Sequence, residues 1–193
     1  MIILASSSQR RAELLRQIGI DFKTLETSID ESRLATESAE EYVCRMAETK
    51  ARAGQKMASD QAQPLPVLAA DTIISIDGSI VGKPHDSQDC HRMLAKLSDS
   101  QHQVLSAVAL GYAGRLELKM SLNQVKFRAL EEWEIEAYCA LDEPLDKAGA
   151  YAIQGKAAIF IERIEGSYSA VMGLPLFETA ALLREAGISV LKQ

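Results

Sequence analysis

Hydroxyl and guanidinium side chains are concentrated in one short segment, Leu4–Arg11, which reads Leu-Ala-Ser-Ser-Ser-Gln-Arg-Arg. An apolar run precedes this segment and helically spaced apolar residues follow it, which predicts a strand, a serine turn and a helix. Arg10 and Arg11 would then occupy the first helical turn, where the partial positive charge of the helix disfavours cations. An anion in the turn would remove the conflict, because phosphate oxygens accept hydrogen bonds from hydroxyls such as Ser6 and Ser8 and from guanidiniums. A serine-capped surface helix is the alternative, since the segment lacks the glycines of a P-loop.

Two charged residues stand where the pattern predicts burial. Lys50 falls within the apolar arc of a helix predicted over Glu37–Met57, with Ser38 as its cap. Its ammonium must either extend along the surface to solvent or meet an anion such as a phosphate. Asp71 interrupts Val67–Ile76, an apolar run typical of a strand that is covered on both faces. Because an unpaired buried carboxylate is costly, Asp71 needs a cation, a metal or a water-filled cleft.

A predicted hairpin places a second lysine near Asp71. The Asp-Gly pair at 77–78 is a strong turn signal, and the strand after it leads into Gly-Lys-Pro at 82–84. Pro84 restricts Lys83 to extended backbone, so the lysine would leave the strand end in a defined direction. Asp71 and Lys83 would then flank one cleft, although Lys83 taken alone is a solvated loop lysine.

Together these residues match one kind of chemistry. The acidic loop Asp30-Glu31 adds a further carboxylate to the basic clusters and the two lysines. Hydrolysis of a phosphoanhydride needs cations against the triphosphate, carboxylates for a divalent metal, and one carboxylate that orients or deprotonates the attacking water. Glu31 and Asp71 are the candidate metal ligands, and Asp71 is open to both roles, general base and ligand. No serine–histidine triad, P-loop or His-Glu-x-x-His motif competes with this interpretation.

Periodicity predicts the other elements. The predicted strands are Met1–Ala5, Asp21–Leu25, Gln103–Tyr112, Arg115–Phe127 and Ala157–Ile164, and the predicted helices are Ser87–Leu97, Glu131–Ala140 and a final helix from Pro175 to Glu185. Loops are predicted over Ser59–Pro66 and over Glu143–Gly155, where small residues allow close backbone approach. A further loop is predicted between Gly166-Ser167-Tyr168 and Gly173-Leu174-Pro175. Because no repeat or linker interrupts the chain, a single domain over residues 1–193 is predicted, with room for two lobes around a cleft.

Composition and charge exclude several classes of protein. At 193 residues with a net charge of −6, the chain has an acidic balance that argues against general nucleic-acid binding. No apolar stretch is long enough to span a bilayer and no signal-peptide pattern is present, so no membrane contact is expected and the cytoplasm is the predicted compartment. Cys44, Cys90 and Cys139 are odd in number and widely spaced, so neither a disulfide framework nor a zinc site is predicted.

Six ordered blocks of the sequence carry a resemblance to a known family. The blocks are Leu4-Ala5-Ser6-x-Ser8-x-Arg10-Arg11, Ala70-Asp71-Thr72, Gly82-Lys83-Pro84, Asp146-Lys147-Ala148-Gly149-Ala150-Tyr151, Ile153-Gln154-Gly155 and Gly173-Leu174-Pro175. In their order and spacing they resemble the Maf family of nucleoside triphosphate pyrophosphatases, over about residues 2 to 186.

The resemblance implies an α/β fold related to the inosine triphosphate pyrophosphatases, with a mixed β-sheet, flanking helices and a cleft. It also implies cleavage between the α- and β-phosphates of a nucleoside triphosphate, with magnesium or manganese as the divalent metal. Asp71 matches the family's proposed proton acceptor. Glu31, Lys50 and Lys83 match its other active-site positions.

The resemblance assigns base selection to the positions of Arg10, Thr72 and Gln154. Thr72 with Gln154 is similar to the branch that acts on dTTP and UTP, with modified pyrimidine nucleotides as further substrates. A 7-methyl-GTP pyrophosphatase is one alternative. A nucleotide-binding regulator of septum formation with little catalysis is the other, and a homodimer is expected from family habit alone.

Two residues depart from the family pattern. Gln9 stands where proline is usual before the arginines, and Ala70 stands where glycine is usual before Asp71. The first change is expected to loosen the phosphate turn. The second adds only a methyl group, at a place where the backbone is expected to lie near the substrate. Because neither removes a functional group, activity is expected to survive.

Overall fold

A mixed β-sheet with helices on both faces forms the framework of the molecule. The computed structural model describes residues 1–58 and 65–191. The strands are β1 (Ile2–Leu4), β2 (Phe22–Thr24), β3 (Val67–Ile76), β4 (Ser79–Val81), β5 (Gln101–Tyr112), β6 (Arg115–Phe127) and β7 (Ile161–Glu165). The helices are α1 (Gln9–Gln17), α2 (Ala39–Met57), α3 (Ser87–Leu97), α4 (Glu132–Cys139), α5 (Tyr168–Met172) and α6 (Leu176–Glu185), with short 3₁₀ helices at Ala148–Ala150 and Lys156–Phe160.

Within the described residues the seven strands lie in the order β2-β1-β3-β5-β6-β7, with β4 paired to the end of β3. β1 pairs in parallel with β2 and β3, whereas the β3–β5, β5–β6 and β6–β7 pairs are antiparallel. The predicted α/β class with a mixed sheet is confirmed. Across residues 1–58 and 65–191, no helix has both the length and the apolar character needed to cross a bilayer.

Alternation along β3 divides its side chains between two apolar clusters. Successive residues of a strand point to opposite faces. Val67, Ala69 and Ile73 pack in a cluster with α2, whereas Leu68 and Ala70 pack with α1 and α6 on the other face. Asp71 therefore shares the α2 face, and its neighbour along the strand faces the other way.

Close packing of α2 on the sheet depends on Gly54. A Cβ atom at this position would lie 2.8 Å from Val67 Cγ1 and 3.0 Å from Ala5 Cβ, closer than real side chains approach. The helix begins with a capping box in which the Ser38 hydroxyl accepts from the Glu41 N–H and the Glu41 carboxylate accepts from the Ser38 N–H. The predicted Ser38 cap is confirmed, and the helix holds its inner residues directly against β3.

One edge of β3 is left open at its middle. β1 pairs with β3 only as far as Leu68, and β4 begins to pair at Ile74. On the other side, β5 pairs with β3 from Val67 to Ser75. Among the described residues, positions 69–73 therefore lack a strand on the β1 side, and this gap is where a cleft can form.

A disulfide joins α3 to α4, so the prediction that the cysteines form no disulfide is wrong. Cys90 and Cys139 are bonded, with their Cα atoms 5.8 Å apart, and both are buried in a third apolar cluster. They are 49 residues apart in sequence, and only the packing of the two helices brings them together. Cys44 is a free thiol, and burial raises its pKa.

Two other elements differ from prediction. The strand predicted over Ala157–Ile164 begins only at Ile161, because the preceding apolar residues form a 3₁₀ helix that packs Phe160 into the third cluster. The stretch between the glycines at 166 and 173 contains α5 rather than a continuous loop. The predicted loop Ser59–Pro66 lies largely outside the described residues.

Substitution of Gly54 by alanine tests the helix–sheet distance. An added methyl group must displace Val67 or Ala5, and such overpacking costs roughly 1–3 kcal/mol, which outweighs the helix-propensity gain of up to about 1 kcal/mol. We expect Gly54→Ala to lower the free energy of unfolding in urea by about 1 kcal/mol. Arg52→Ala, at an exposed position of the same helix, is the matched control and should leave stability within about 0.5 kcal/mol of the parent protein. A Gly54→Ala protein as stable as that control would contradict the packing.

Removal of the disulfide should destabilise the protein. A bond that closes a loop of this size restricts the unfolded chain, and we expect Cys90→Ala/Cys139→Ala to lower the free energy of unfolding by about 2–4 kcal/mol. Dithiothreitol should reproduce most of this loss in the parent protein and have no effect on the double variant. Thiol titration of the non-reduced, unfolded chain should detect Cys44 alone; three reactive thiols would refute the bond.

Candidate active site

The open edge of β3 forms one wall of a cavity of about 1120 Å³. Every residue assigned to the site from the sequence lines this cavity. These residues are Ser6, Ser8, Arg10, Arg11, Glu31, Lys50, Asp71, Thr72, Lys83 and Gln154. The fold thus brings together residues that are far apart in the sequence, from the serine turn after β1 to the segment after α4. Their chemical roles stay predictions.

An ammonium group between two carboxylates occupies the centre of this wall. Lys50 Nζ lies 2.7 Å from Glu31 Oε1 and 2.7 Å from Asp71 Oδ1. The side chains of Lys50 and Asp71 are only 14% and 12% exposed, whereas that of Glu31 is 59% exposed. Lys50 therefore does not extend to bulk solvent, and the anions it meets within the protein are these carboxylates. With one positive and two negative charges, the trio retains a net negative charge that favours a further cation.

Tyr42 fixes the loop that carries Glu31. Its hydroxyl donates a hydrogen bond of 2.9 Å to the Glu31 carbonyl oxygen. Burial raises the pKa of Tyr42, and the charges of Asp71 and Glu31 raise it further, so the phenol remains a donor at neutral pH. Arg45 supports the same loop by donating to the Ser32 carbonyl oxygen at 3.0 Å. No sequence signal marks Tyr42, because a tyrosine on a helix is an ordinary packing residue.

The serine turn is built by hydrogen bonds to its own hydroxyls. Ser8 is the N-cap of α1 and accepts from the Arg11 N–H, while Ser6 Oγ accepts from the Ser8 N–H at 3.2 Å and from Arg11 Nη1 at 3.3 Å. Burial lowers the pKa of Arg11, and the charge of Asp71 opposes this effect. The turn caps the helix, and it also presents hydroxyls and guanidiniums to the cavity, while the binding of phosphate there stays a prediction.

The two departures from the family pattern are placed differently. Gln9 is exposed and lines the cavity. Ala70 is fully buried in the cluster beneath α1 and α6, opposite Val108 of β5. The pleat turns its methyl group into the core, and Ala70 is not among the residues that line the cavity.

Thr72 belongs to a hydrogen-bonded group on the other face of the strand from Asp71. Its Oγ1 lies 2.9 Å from Ser106 Oγ and 3.3 Å from the Gly173 carbonyl oxygen. Arg11 Nε donates to that same carbonyl oxygen at 2.9 Å. Gly173, which the sequence marked only as part of a motif, therefore links Thr72 to the serine turn.

The opposite wall of the cavity is formed by Lys83 and the segment 146–154. The Gly149 N–H donates to the Gly82 carbonyl oxygen at 2.9 Å, which ties the two parts together. Gly149 has a φ of 68°, and a Cβ there would lie 2.6 Å from Ile74 Cδ1. Both the backbone conformation and the contact with β3 therefore require glycine at this position.

The pKa of Asp146 on this wall is influenced by Arg10 of the serine turn. The Asp146 carboxylate accepts a hydrogen bond from Lys147 Nζ. Burial alone would raise the pKa of Asp146, but that hydrogen bond and the charges of Lys147 and Arg10 outweigh it, and the pKa is lowered. Gln154 and Lys83 are exposed at the mouth of the cavity, free of the core packing that holds Asp71.

A buried histidine supports this wall from behind. His102 Nε2 lies 2.7 Å from the hydroxyl of Tyr151, a residue that lines the cavity. Burial lowers the pKa of His102 to about 4. Its Nδ1 is buried without a hydrogen-bond partner among the described residues, so a protonated ring would carry an unsatisfied N–H there.

Glu31 and Asp71 fit the requirements of magnesium or manganese. These hard cations prefer oxygen ligands, and magnesium is commonly bound by one or two carboxylates together with substrate phosphates and water. In the described part of the chain, no three His, Cys, Asp or Glu side chains converge into a complete protein cage. Two carboxylates with an excess negative charge are the donor set that a metal–triphosphate complex would complete.

Comparison with known proteins identifies the family. A family model described as Maf-like protein matches residues 1–186. The chain belongs to the Maf family. It is 50% identical to the dTTP/UTP pyrophosphatase of Nitrosomonas europaea and 49% identical to that of Chromobacterium violaceum, each alignment covering 98% of this chain and 96% of the relative.

Fold comparison extends the likeness beyond the Maf family. The structure of the Staphylococcus aureus Ham1 protein superposes with a TM-score of 0.51 at 14% identity, covering 96% of this chain and 98% of that one. At this identity the likeness concerns the fold alone. It is consistent with the α/β architecture predicted for a Maf protein.

The low pKa of His102 predicts a loss of stability in mild acid. Below its unfolded pKa of roughly 6.5 the unfolded histidine binds a proton, while the folded one stays neutral until about pH 4. The free energy of unfolding should therefore fall as pH drops through this window, with His102 contributing on the order of 2–3 kcal/mol. Urea unfolding at pH 7, 6, 5 and 4.5 measures the slope. His102→Gln should be less stable at pH 7 but show a shallower slope, and equal slopes would contradict the assignment.

Proposed function

We propose that the chain hydrolyses dTTP and UTP at the α–β phosphoanhydride bond and releases a nucleoside monophosphate and pyrophosphate. The observation that carries the proposal is the paired cluster of Lys50, Asp71 and Glu31 at the open edge of β3, inside a cavity with room for a nucleotide. The names of relatives that are about half identical over nearly the whole chain support the substrates.

Asp71 is the group placed to handle the attacking water. Aspartates in general are ionised at neutral pH, and a carboxylate of this kind can orient a water molecule and accept its proton. The water oxygen then bonds to the α-phosphorus, the bond from the α-phosphorus to the bridging oxygen breaks, and pyrophosphate leaves. Lys50, 2.7 Å away, stabilises the Asp71 carboxylate before the proton arrives and holds its direction.

The cations around the cavity have a separate task. Arg10 and Arg11 lie beside the serine turn on one wall, and Lys83 lies on the other, so a triphosphate between them is neutralised from both sides. Positioning and charge neutralisation of this kind supply most of the catalysis in phosphoryl transfer. A divalent metal held by Glu31 and Asp71, when bound, adds charge neutralisation at the phosphates. Clearance of damaged or unwanted nucleotides from the pool is part of the same proposal.

Pyrophosphate release tests the proposal directly. Purified protein is incubated with dTTP, UTP, CTP, ITP and 7-methyl-GTP in magnesium or manganese, and pyrophosphate is distinguished from orthophosphate by assaying with and without inorganic pyrophosphatase. We expect pyrophosphate from dTTP and UTP, a loss of about 10²–10⁴-fold in Asp71→Asn, and no activity after chelation until metal is restored.

Asp142→Asn, a change at an exposed aspartate that does not line the cavity, is the matched control and should retain full activity. Direct release of orthophosphate would overturn the α–β cleavage. An Asp71→Asn protein as active as the control would overturn the role of the central carboxylate. Faster hydrolysis of 7-methyl-GTP than of dTTP would overturn the substrate assignment.

A further inference from the structure

Ser106 lies behind Thr72 and outside the cavity. It is the β5 residue directly opposite Thr72 of β3, and it is fully buried. Its hydroxyl lies 2.6 Å from the Ala170 carbonyl oxygen and 2.9 Å from Thr72 Oγ1. It is not among the residues that line the cavity, so it acts on a substrate only through neighbours, and Thr72 is the hydrogen-bonded neighbour that lines the cavity.

The chemistry of these groups fixes the direction of each hydrogen bond. A carbonyl oxygen only accepts, so the single hydroxyl proton of Ser106 is directed at Ala170. Toward Thr72 the Ser106 oxygen is therefore an acceptor, and Thr72 must be the donor. The other neighbour of Thr72 Oγ1, the Gly173 carbonyl oxygen at 3.3 Å, is also only an acceptor. Whether Thr72 donates to Ser106 or to Gly173, its proton is directed at a protein acceptor and away from the cavity.

The Thr72 hydroxyl consequently turns only lone pairs toward the cavity. We propose that Ser106 is a positioning residue that holds Thr72 as a hydrogen-bond acceptor, so that the site receives an N–H donor of the pyrimidine ring. Uracil and thymine carry such a donor at N3, whereas N3 of cytosine is itself an acceptor and would face the Thr72 oxygen with lone pairs opposed.

This inference rests on the proposed function and deepens it. dTTP and UTP differ in their sugars, so a site that admits both cannot depend on the 2′-hydroxyl. They share the N3–H of the base. A fixed acceptor is a stronger filter than a freely rotating hydroxyl, because a hydroxyl that can rotate offers its proton to cytosine and its lone pairs to uracil.

Ser106→Ala removes the closer of the two acceptors and leaves the Thr72 proton only the longer contact to the Gly173 carbonyl oxygen, so the hydroxyl rotates more freely and can also donate into the cavity. We expect kcat/KM for dUTP to fall and that for dCTP to rise, so that the dUTP to dCTP ratio drops about threefold to tenfold, as expected for one neutral hydrogen bond. Ser106→Thr, which keeps the hydroxyl, should retain more of the ratio than Ser106→Ala. Ser75→Ala is the matched control, since Ser75 is a buried serine of β3 whose hydroxyl has no partner among the described residues.

A ratio of two rates on the same enzyme preparation does not depend on the folded fraction, so a merely structural defect would lower both rates together and overturn the proposal. A change in the UTP to dUTP ratio with the dUTP to dCTP ratio unchanged would also overturn it, because Thr72 would then contact the sugar. Calorimetric binding of dUMP and dCMP is measured in parallel. If the protein hydrolyses neither nucleotide, loss of dUMP preference in Ser106→Ala still supports the inference, and an unchanged preference refutes it.

Discussion

The burial of Asp71 is the constraint on which the rest of the site depends. A carboxylate in the middle of a strand that is covered on both faces has lost most of its hydration, and an isolated charge in that position would be strongly unfavourable. Here the carboxylate is paired with the Lys50 ammonium, which is itself barely exposed. Each charge therefore offsets the lost hydration of the other. The two residues come from different elements, so the ion pair exists only if α2 lies at the right distance from β3. Gly54, one turn beyond Lys50, permits that distance.

The sheet also separates two tasks that the sequence places side by side. Asp71 and Thr72 are consecutive, but the strand pleat directs them to opposite faces. Asp71 joins Lys50 and Glu31 under α2, while Thr72 joins Ser106 and Gly173 on the other face. Both reach the same cavity because the neighbouring strand β1 ends at Leu4 and leaves that edge uncovered. The residue proposed to act on water and the residue proposed to recognise the base therefore lie next to each other without competing for the same partners.

The sequence alone predicted the fold where local pattern decides it. The capped helix over α2, the buried strand β3 and its hairpin were right because caps, periodicity and Asp-Gly turns act over a few residues. The 3₁₀ helix at Lys156–Phe160 was missed because a short apolar run is compatible with a strand and with a helix. The disulfide was missed because its cysteines meet only through the tertiary packing of α3 against α4. Lys50 and Asp71 were visible because a charged residue is conspicuous where the pattern predicts burial. Ser106 and Tyr42 were not, because a serine or a tyrosine in a core needs no special explanation until its hydrogen bonds are seen.

The two walls of the cavity are therefore stabilised by different means. Asp71 and Lys50 are held by packing on both faces of the sheet. On the other wall Lys83, Asp146 and Gln154 are exposed, and the buried residues 149–153 between them are held from behind. Behind that wall lie the disulfide, the His102–Tyr151 hydrogen bond and the contact of Gly149 with Ile74. Ala150, buried with a φ of 60°, adds a strained conformation that only a well-packed surrounding can maintain. One wall of the cavity thus rests on a central strand of the sheet, and the other rests on the third apolar cluster, where sequence pattern was least informative.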